Sequence, residues 1–101
     1  DWDNLEDVVS KVREELQEVL QANAAGDSAC IKEEVGDLIF AVVNLSRFLK
    51  VNPEIALNAT CNKFINRFQY IENMAVEAKR DLMEMTLKEM DVLWEDSKKK
   101  M

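Results

Sequence analysis

The sequence predicts an all-α protein, and three observations carry that prediction. Only two glycines and one proline occur in 101 residues, and most residues between them are good helix formers. Apolar residues recur every three or four positions over long stretches, which is the spacing of one helix face. Because a chain this short buries only a modest fraction of its surface alone, we also expect it to oligomerise. We expect one small domain over residues 1–101, either complete or cut from a longer chain.

The first predicted helix begins at a capping box made by Asp3 and Glu6. At about 100° per residue, Glu15 falls at the edge of the apolar stripe of this helix, and Glu14 is turned further toward solvent. The stripe consists of Leu5, Val8, Val9, Val12, Leu16, Val19 and Leu20.

A turn around Gly26 separates the first two helices. Glycine can adopt the positive φ that ends a helix, and either Asp27 or Ser28 can cap the helix that follows. We expect helix 2 to run from about Ala29 to Lys50. One side of it carries Glu34, Asp37, Ala41, Asn44 and Phe48.

Asn52 and Pro53 predict the start of helix 3, as N-cap and first helical residue. Its apolar stripe consists of Leu57, Cys61, Phe64, Phe68, Ile71 and Ala75. The periodicity weakens over residues 78–85, where we expect a loop or a frayed helix end. Thr86 and Glu89 form a second capping box, which opens helix 4 with its apolar edge of Leu87, Met90 and Trp94.

The formal charge of −7 is unevenly distributed along the chain. Residues 1–37 contain eleven acidic and three basic side chains, whereas residues 38–101 contain nine and ten. An acid excess in the first two helices favours binding of cations and argues against a nucleic-acid partner. No apolar run is long enough to span a bilayer, so no membrane partner is expected and the cytoplasm is the default location.

The cysteine and histidine content narrows the choice of metal. Cys30 and Cys61 lack CxxC spacing, so we expect both to be reduced thiols in the core. The sequence has no histidine, whereas helical di-iron sites use Glu-x-x-His and zinc sites use histidine and cysteine. A site built from carboxylates alone would suit a hard ion such as Mg²⁺ or Mn²⁺.

Two pairs of acids have the spacing that such a site needs. Glu15 and Glu18 lie one turn apart on helix 1, as do Glu34 and Asp37 on helix 2, and a hairpin that buries both apolar stripes would bring the pairs together. Four neighbouring carboxylates require protons or a cation, and Mg²⁺ is commonly held by carboxylates together with substrate phosphates. A solvated acidic face is the alternative interpretation.

Other polar and aromatic residues also have two interpretations. Lys63 and Arg67 project together from helix 3, either as a solvated pair or as an anion site. Trp94 could pack in the core or at an interface, or contact a base. Asn44 could cap a helix or form a hydrogen bond within the core. Lys11 could form an ion pair with Glu15, four residues later.

The acid spacing is part of a wider resemblance to the MazG family of all-α nucleoside triphosphate pyrophosphohydrolases. The segments that resemble MazG signatures cover nearly the whole chain: Asp1-Trp2-Asp3, Lys11-Val12-Arg13-Glu14-Glu15, Glu33-Glu34-Val35-Gly36-Asp37-Leu38-Ile39-Phe40-Ala41, Val43-Asn44-Leu45-Ser46-Arg47, Asn62-Lys63-Phe64-Ile65-Asn66-Arg67-Phe68 and Val92-Leu93-Trp94.

The resemblance implies hydrolysis of (deoxy)nucleoside triphosphates at the α–β bond, giving a monophosphate and pyrophosphate. It implies Mg²⁺ bound by Glu15, Glu18, Glu34 and Asp37. It further implies phosphate binding by Lys63 and Arg67 and packing of Trp94 on the base or sugar. Lys11 and Asn44 would be substrate contacts near the metal. Glu14 and Glu15 are the candidate catalytic residues. Glu14 would act either as a base or as a group next to the metal ligands. The family also implies a homodimer or dimer of dimers, with a four-helix-bundle core completed by dimerisation.

Two alternatives to this function stay open. A relative with a narrower substrate, such as dUTP or phosphoribosyl-ATP, would use the same chemistry. A non-catalytic helical module for oligomerisation or partner binding would have the fold without the reaction.

Overall fold

The computed structural model describes residues 4–100, and over this range every secondary-structure element is a helix, as the all-α prediction requires. The four α-helices are α1 (Leu5–Ala25), α2 (Ser28–Phe48), α3 (Pro53–Glu77) and α4 (Leu87–Lys100), and a short 3₁₀ helix, Leu82–Glu84, lies between the last two.

Helices α1 and α2 form a hairpin because the chain between them is only two residues long. Gly26 ends α1 with a φ of 71°, and the Asp27 carboxylate caps α2 by accepting from the backbone N–H groups of Ala29 and Cys30. Both features agree with the predicted turn. The predicted cap of α1, Asp3, lies outside the described residues together with Asp1 and Trp2. The side chain that caps α1 is that of Asn4, which accepts from Asp7 N at 2.9 Å.

The predicted starts of α3 and α4 are confirmed by their caps. The Asn52 side chain accepts from the N–H groups of Glu54 and Ile55 at the start of α3. At the start of α4, Glu89 N donates to Thr86 Oγ1 and Thr86 N donates to Glu89 Oε1, both at 3.1 Å. This reciprocal pair is the capping box that the sequence predicts.

The chain divides into two compact units, residues 1–56 and residues 57–101. In the first unit α1 packs against α2, with Val8 and Ala41 buried. In the second unit Ile71 and Ala75 of α3 are buried. None of the described helices is both long and apolar enough to cross a membrane.

Much of the predicted apolar stripes is uncovered in the single chain. Leu20 of the α1 stripe is 52% exposed and Leu57 of the α3 stripe is 63% exposed. Cys30 and Cys61 are free thiols at exposed positions, so the prediction that they lie in the core is wrong for this chain. The reason is that Cys61 lies on a part of the α3 stripe that the described residues leave exposed. Cys30 lies in the first turn of α2, where its Sγ donates to the Asp27 carboxylate at 3.3 Å.

Candidate metal centre and substrate-binding residues

Three carboxylates meet where α1 faces α2. Glu15 and Glu18 lie one turn apart on α1, and Glu34 comes from α2. One carboxylate oxygen from each of the three lies within 4.8 Å of the others. Glu15 is buried, and Glu18 and Glu34 are half-buried. The hairpin therefore gathers three of the four acids that the sequence singled out, and we refer to them as the carboxylate cluster.

The fourth predicted acid, Asp37, is exposed and is not part of this cluster. It lies one turn further along α2 than Glu34 and lines a cavity of about 340 Å³ with Glu15. The rest of that cavity is lined by Lys11, Phe40, Ala41 and Asn44. The structure thus places Lys11, Asn44 and Asp37 around one cavity beside Glu15.

Lys11 forms ion pairs with two of the acids. Its Nζ lies 3.0 Å from Glu15 Oε1 and 3.4 Å from Glu14 Oε2. The hydrogen bond from Lys11 holds the pKa of the Glu15 carboxyl below its usual range. The predicted i, i+4 pairing is therefore present. The Glu14 side chain is 57% exposed, in agreement with its predicted orientation toward solvent.

Glu18 shows the opposite effect. Its carboxyl lies beside those of Glu34 and Glu15, and these neighbours raise the pKa of Glu18 to about 7. Close carboxylates cannot all be ionised at low cost, so one of them keeps a proton unless a cation is present.

Two buried oxygen atoms of the cluster have no hydrogen-bond partner within residues 4–100. They are Oε2 of Glu15 and Oε2 of Glu34. A buried, unpaired carboxylate oxygen is costly, and both atoms belong to the set of acids that converges. An all-carboxylate set of this kind fits a hard divalent cation, so this cluster could hold a metal ion.

A second cavity borders the cluster on the side of the hairpin turn. It has a volume of about 400 Å³ and is lined by Glu18, Gln21, Ala22, Ala25, Asp27, Cys30 and Glu34. Gln21 and Cys30 line this cavity and Phe40 lines the other, although the sequence pattern did not single them out as site residues. Helical spacing offered a signal, because Gln21 lies three residues after Glu18 and Cys30 lies four before Glu34.

The remaining predicted residues, Lys63, Arg67 and Trp94, belong to the second unit. The guanidinium carbon of Arg67 lies 5.4 Å from the centroid of the Trp94 ring, and Trp94 also contacts Phe64, with ring centroids 5.2 Å apart. Lys63 is exposed. Within residues 4–100, no carboxylate lies within 4.0 Å of the charged groups of Lys63 or Arg67.

Fold and site together define an all-α protein whose N-terminal helical hairpin carries a carboxylate centre suited to a metal ion. Residues 4–71 match the MazG nucleotide pyrophosphohydrolase domain, and the chain belongs to this family.

Two relatives extend the similarity over almost the whole chain. The nucleoside triphosphate pyrophosphohydrolase/pyrophosphatase MazG of Thermotoga maritima is 41% identical over 98 residues, which is 97% of this chain and 37% of the relative. The nucleoside triphosphate pyrophosphohydrolase of Escherichia coli K12 is 39% identical over 101 residues, which is 98% of this chain and 38% of the relative. The chain therefore spans less than two fifths of the length of these relatives.

Proposed function

We propose that residues 1–101 form one MazG domain that hydrolyses (deoxy)nucleoside triphosphates between the α and β phosphates. The products are a nucleoside monophosphate and pyrophosphate, and the role is housekeeping of the nucleotide pool. Membership of the family and the names of the two relatives support this reaction. The observation that carries the proposal is the carboxylate cluster, two of whose buried oxygens have no hydrogen-bond partner among residues 4–100.

The metal that we propose is Mg²⁺, with Mn²⁺ as a possible substitute. Glu15, Glu18 and Glu34 would hold it, and Asp37 would contribute from its position one turn along α2. When bound, the ion would offset the negative charge of the triphosphate and of the leaving pyrophosphate, and lower the pKa of a bound water. The burial of Glu15 and its neighbours supports this role, because a site shielded from water strengthens charge–charge attraction.

Around the cluster, we assign substrate contacts to Lys11 and Asn44. Both line the cavity that contains Asp37, where an ammonium and an amide could bind phosphate or sugar oxygens. Glu15 and Glu14 are the proposed catalytic residues. Glu14 is the candidate that accepts a proton from the attacking water, since it is exposed and its carboxylate is kept in place by Lys11 at 3.4 Å.

Lys63 and Arg67 are proposed to bind phosphates, and Trp94 to pack on the base or sugar. Their charged groups have no carboxylate within 4.0 Å among the described residues, so their N–H donors are available to an anion. Arginine offers a planar set of donors that matches phosphate oxygens.

We further propose that the protein acts in the cytoplasm as a homodimer or a dimer of dimers, with a four-helix-bundle core that dimerisation completes. Support comes from the apolar surface of α2, where Val35, Ile39, Phe40 and Val42 are 38–67% exposed. Val35, Ile39 and Val42 are spaced i, i+4 and i+7 and so share one face of the helix, and an exposed apolar face is typical of a protein interface. Sedimentation equilibrium that returned a monomer at micromolar concentration would contradict this assembly.

The decisive experiment is a panel of (d)NTPs incubated with Mg²⁺, with the products separated by anion-exchange chromatography. We expect monophosphate and pyrophosphate in equimolar amounts. Diphosphate and phosphate would contradict the proposed cleavage site. Turnover of dUTP or phosphoribosyl-ATP alone would favour the narrower-substrate alternative, and no turnover of any substrate would favour a non-catalytic helical module.

A further inference from the structure

Arg67 lies on an aromatic surface that belongs entirely to the second unit. Its guanidinium carbon is 5.4 Å from the centroid of the Trp94 ring, which is within the range of a cation–π contact. Phe64 contacts the same indole at 5.2 Å, with the two ring planes inclined by 50°. Phe64 also stacks on Phe68, with centroids 6.1 Å apart and planes 5° from parallel.

The spacing along α3 explains this arrangement. Phe64, Arg67 and Phe68 occupy positions i, i+3 and i+4, so their side chains project from the same face of the helix. Trp94 of α4 contacts that face. The cation and its aromatic neighbours are therefore fixed by two helices rather than by a loop.

Arg67 and Arg80 both belong to the second unit, but their contacts differ. Arg80 is bound by the Glu89 carboxylate through both terminal nitrogens. Within residues 4–100, Arg67 has no carboxylate within 4.0 Å. The contact that the structure gives its guanidinium is with the face of the Trp94 ring, and packing on a ring face leaves the N–H groups of a guanidinium free to donate.

We propose that Trp94 and Phe64 are positioning residues for Arg67, and that they hold its guanidinium ready to bind a pyrophosphate-type anion. This inference rests on the phosphate-binding role proposed for Arg67. It differs from packing of Trp94 on a base, because Trp94 then contributes to binding of an anion that has no base.

The test is a double-mutant cycle read out with inorganic pyrophosphate in the presence of Mg²⁺, by isothermal titration calorimetry. Trp94→Leu should weaken pyrophosphate binding by about threefold to tenfold, the magnitude of a partly desolvated cation–π contact. In an Arg67→Ala background the same substitution should have no further effect. Trp94→Phe should retain most of the affinity, because a phenyl ring still offers a face to the guanidinium.

Two results with the Trp94→Leu variant would overturn the inference. One is a Trp94→Leu protein that binds pyrophosphate normally but nucleoside triphosphate weakly, which is the behaviour of a base contact. The other is an equal loss from Trp94→Leu with and without Arg67. Wild-type protein that bound no pyrophosphate would also overturn it. If the mutant cycle shows coupling between Trp94 and Arg67 but the wild-type protein cleaves no triphosphate, the proposed reaction is contradicted and the positioning role is not.

Two further variants separate positioning from stability. Phe64→Leu keeps an apolar side chain at a position that is 55% exposed, so it should fold and still weaken pyrophosphate binding through Arg67. Tyr70→Leu is the matched control, since it removes the contact of Lys100 with the Tyr70 ring at 5.9 Å and does not involve Arg67. Its pyrophosphate affinity should equal that of the wild type. A loss in Tyr70→Leu as large as that in Phe64→Leu would contradict the positioning role.

Discussion

The α1–α2 hairpin and the second unit, called the C-terminal unit below, differ in whether their carboxylates have partners. In the hairpin, Glu15, Glu18 and Glu34 converge, and two of their buried oxygens have no partner within residues 4–100. In the C-terminal unit, the carboxylate of Glu89 accepts from Arg80 and from the start of α4, while Arg67 lies against an aromatic ring.

The difference indicates where the protein depends on a ligand. A group of carboxylates that repel one another opposes folding unless a cation or a proton is bound. A satisfied ion pair and capping box favour folding without any ligand. We therefore expect the hairpin to respond strongly to metal and pH, and the C-terminal unit to respond weakly to either.

The strongest test of this comparison is Glu34→Gln. It should lower Mg²⁺-dependent release of pyrophosphate by about a hundredfold or more, because a charged ligand of the proposed metal is lost. Folding should be unimpaired, and without metal the thermal midpoint should be equal to or higher than that of the wild type, because one repelling charge is gone. Asp37→Asn should also lose activity, although its carboxylate lies outside the cluster.

Glu33→Gln is the matched control for both variants. Glu33 is adjacent to Glu34 in sequence but exposed and outside the cluster, so the same loss of charge should leave activity unchanged. Full activity in Glu34→Gln would contradict the assignment of the metal centre. Full activity in Asp37→Asn alone would restrict the centre to the three clustered acids.

The second test is thermal stability in the presence of Mg²⁺, measured by differential scanning fluorimetry. Millimolar Mg²⁺ should raise the midpoint of the wild type by on the order of 5 °C, because a ligand of the native state stabilises it by mass action. Glu15→Gln should remove most of this shift. CaCl₂ at the same ionic strength serves as a control for hard-ion selectivity, and NaCl as a control for general screening. A NaCl effect equal to that of Mg²⁺ would contradict a specific centre.

The sequence predicted the helices and their caps well because those features depend on near neighbours. The Gly26–Asp27 turn, the Asn52 cap and the pair of Thr86 with Glu89 each involve residues at most three positions apart. Their hydrogen bonds follow from local chemistry. At the start of α1 the described cap is Asn4. It adjoins the predicted Asp3, which lies outside the described residues, and composition alone does not choose between two good capping residues.

Contacts between helices were predicted less well. Spacing placed Glu34 and Asp37 on one face of α2, but the register of α1 against α2 decides which of them comes within 4.8 Å of Glu15 and Glu18. The contact between Arg67 and Trp94 joins residues that are far apart in sequence, so periodicity could not reveal it. Nor could it show that Cys61 is uncovered, since an apolar stripe does not indicate whether this chain or another covers it.

The third test is the pH dependence of stability without metal. The pKa of Glu18 is raised to about 7 in the folded chain by Glu34 and Glu15, whereas an ordinary glutamate has a pKa of about 4.3. Folding therefore takes up a proton between these values, and stability should fall as the pH rises from about 4.5 to about 7. Urea unfolding at several pH values would measure this slope.

Glu18→Gln should flatten that slope, because the group that takes up the proton is removed. Saturating Mg²⁺ should reverse it, since the ion competes with the proton and binds best when the acids are ionised. A wild-type slope that stayed unchanged in Glu18→Gln would show that another group is responsible and would contradict the assignment.

The smallest effect is expected in the C-terminal unit, for Glu89→Ala. This substitution removes the acceptor for Thr86 N and the ion pair with Arg80, and it should lower the free energy of unfolding by about 1–2 kcal/mol, as the loss of a cap does. Glu89→Gln preserves a capping box and loses only the charge of a partly exposed pair, so it should cost about 0.5 kcal/mol. Glu95→Ala, which breaks the exposed pair with Lys98 at 3.2 Å, should cost less still.

Because neither Glu89 nor Glu95 belongs to the carboxylate cluster, the Mg²⁺ shift of the thermal midpoint should persist in all three variants. Urea unfolding with and without Mg²⁺ measures both quantities. Loss of the Mg²⁺ shift in Glu89→Ala would mean that metal binding depends on the second unit as well, and the contrast between the two units would then not hold.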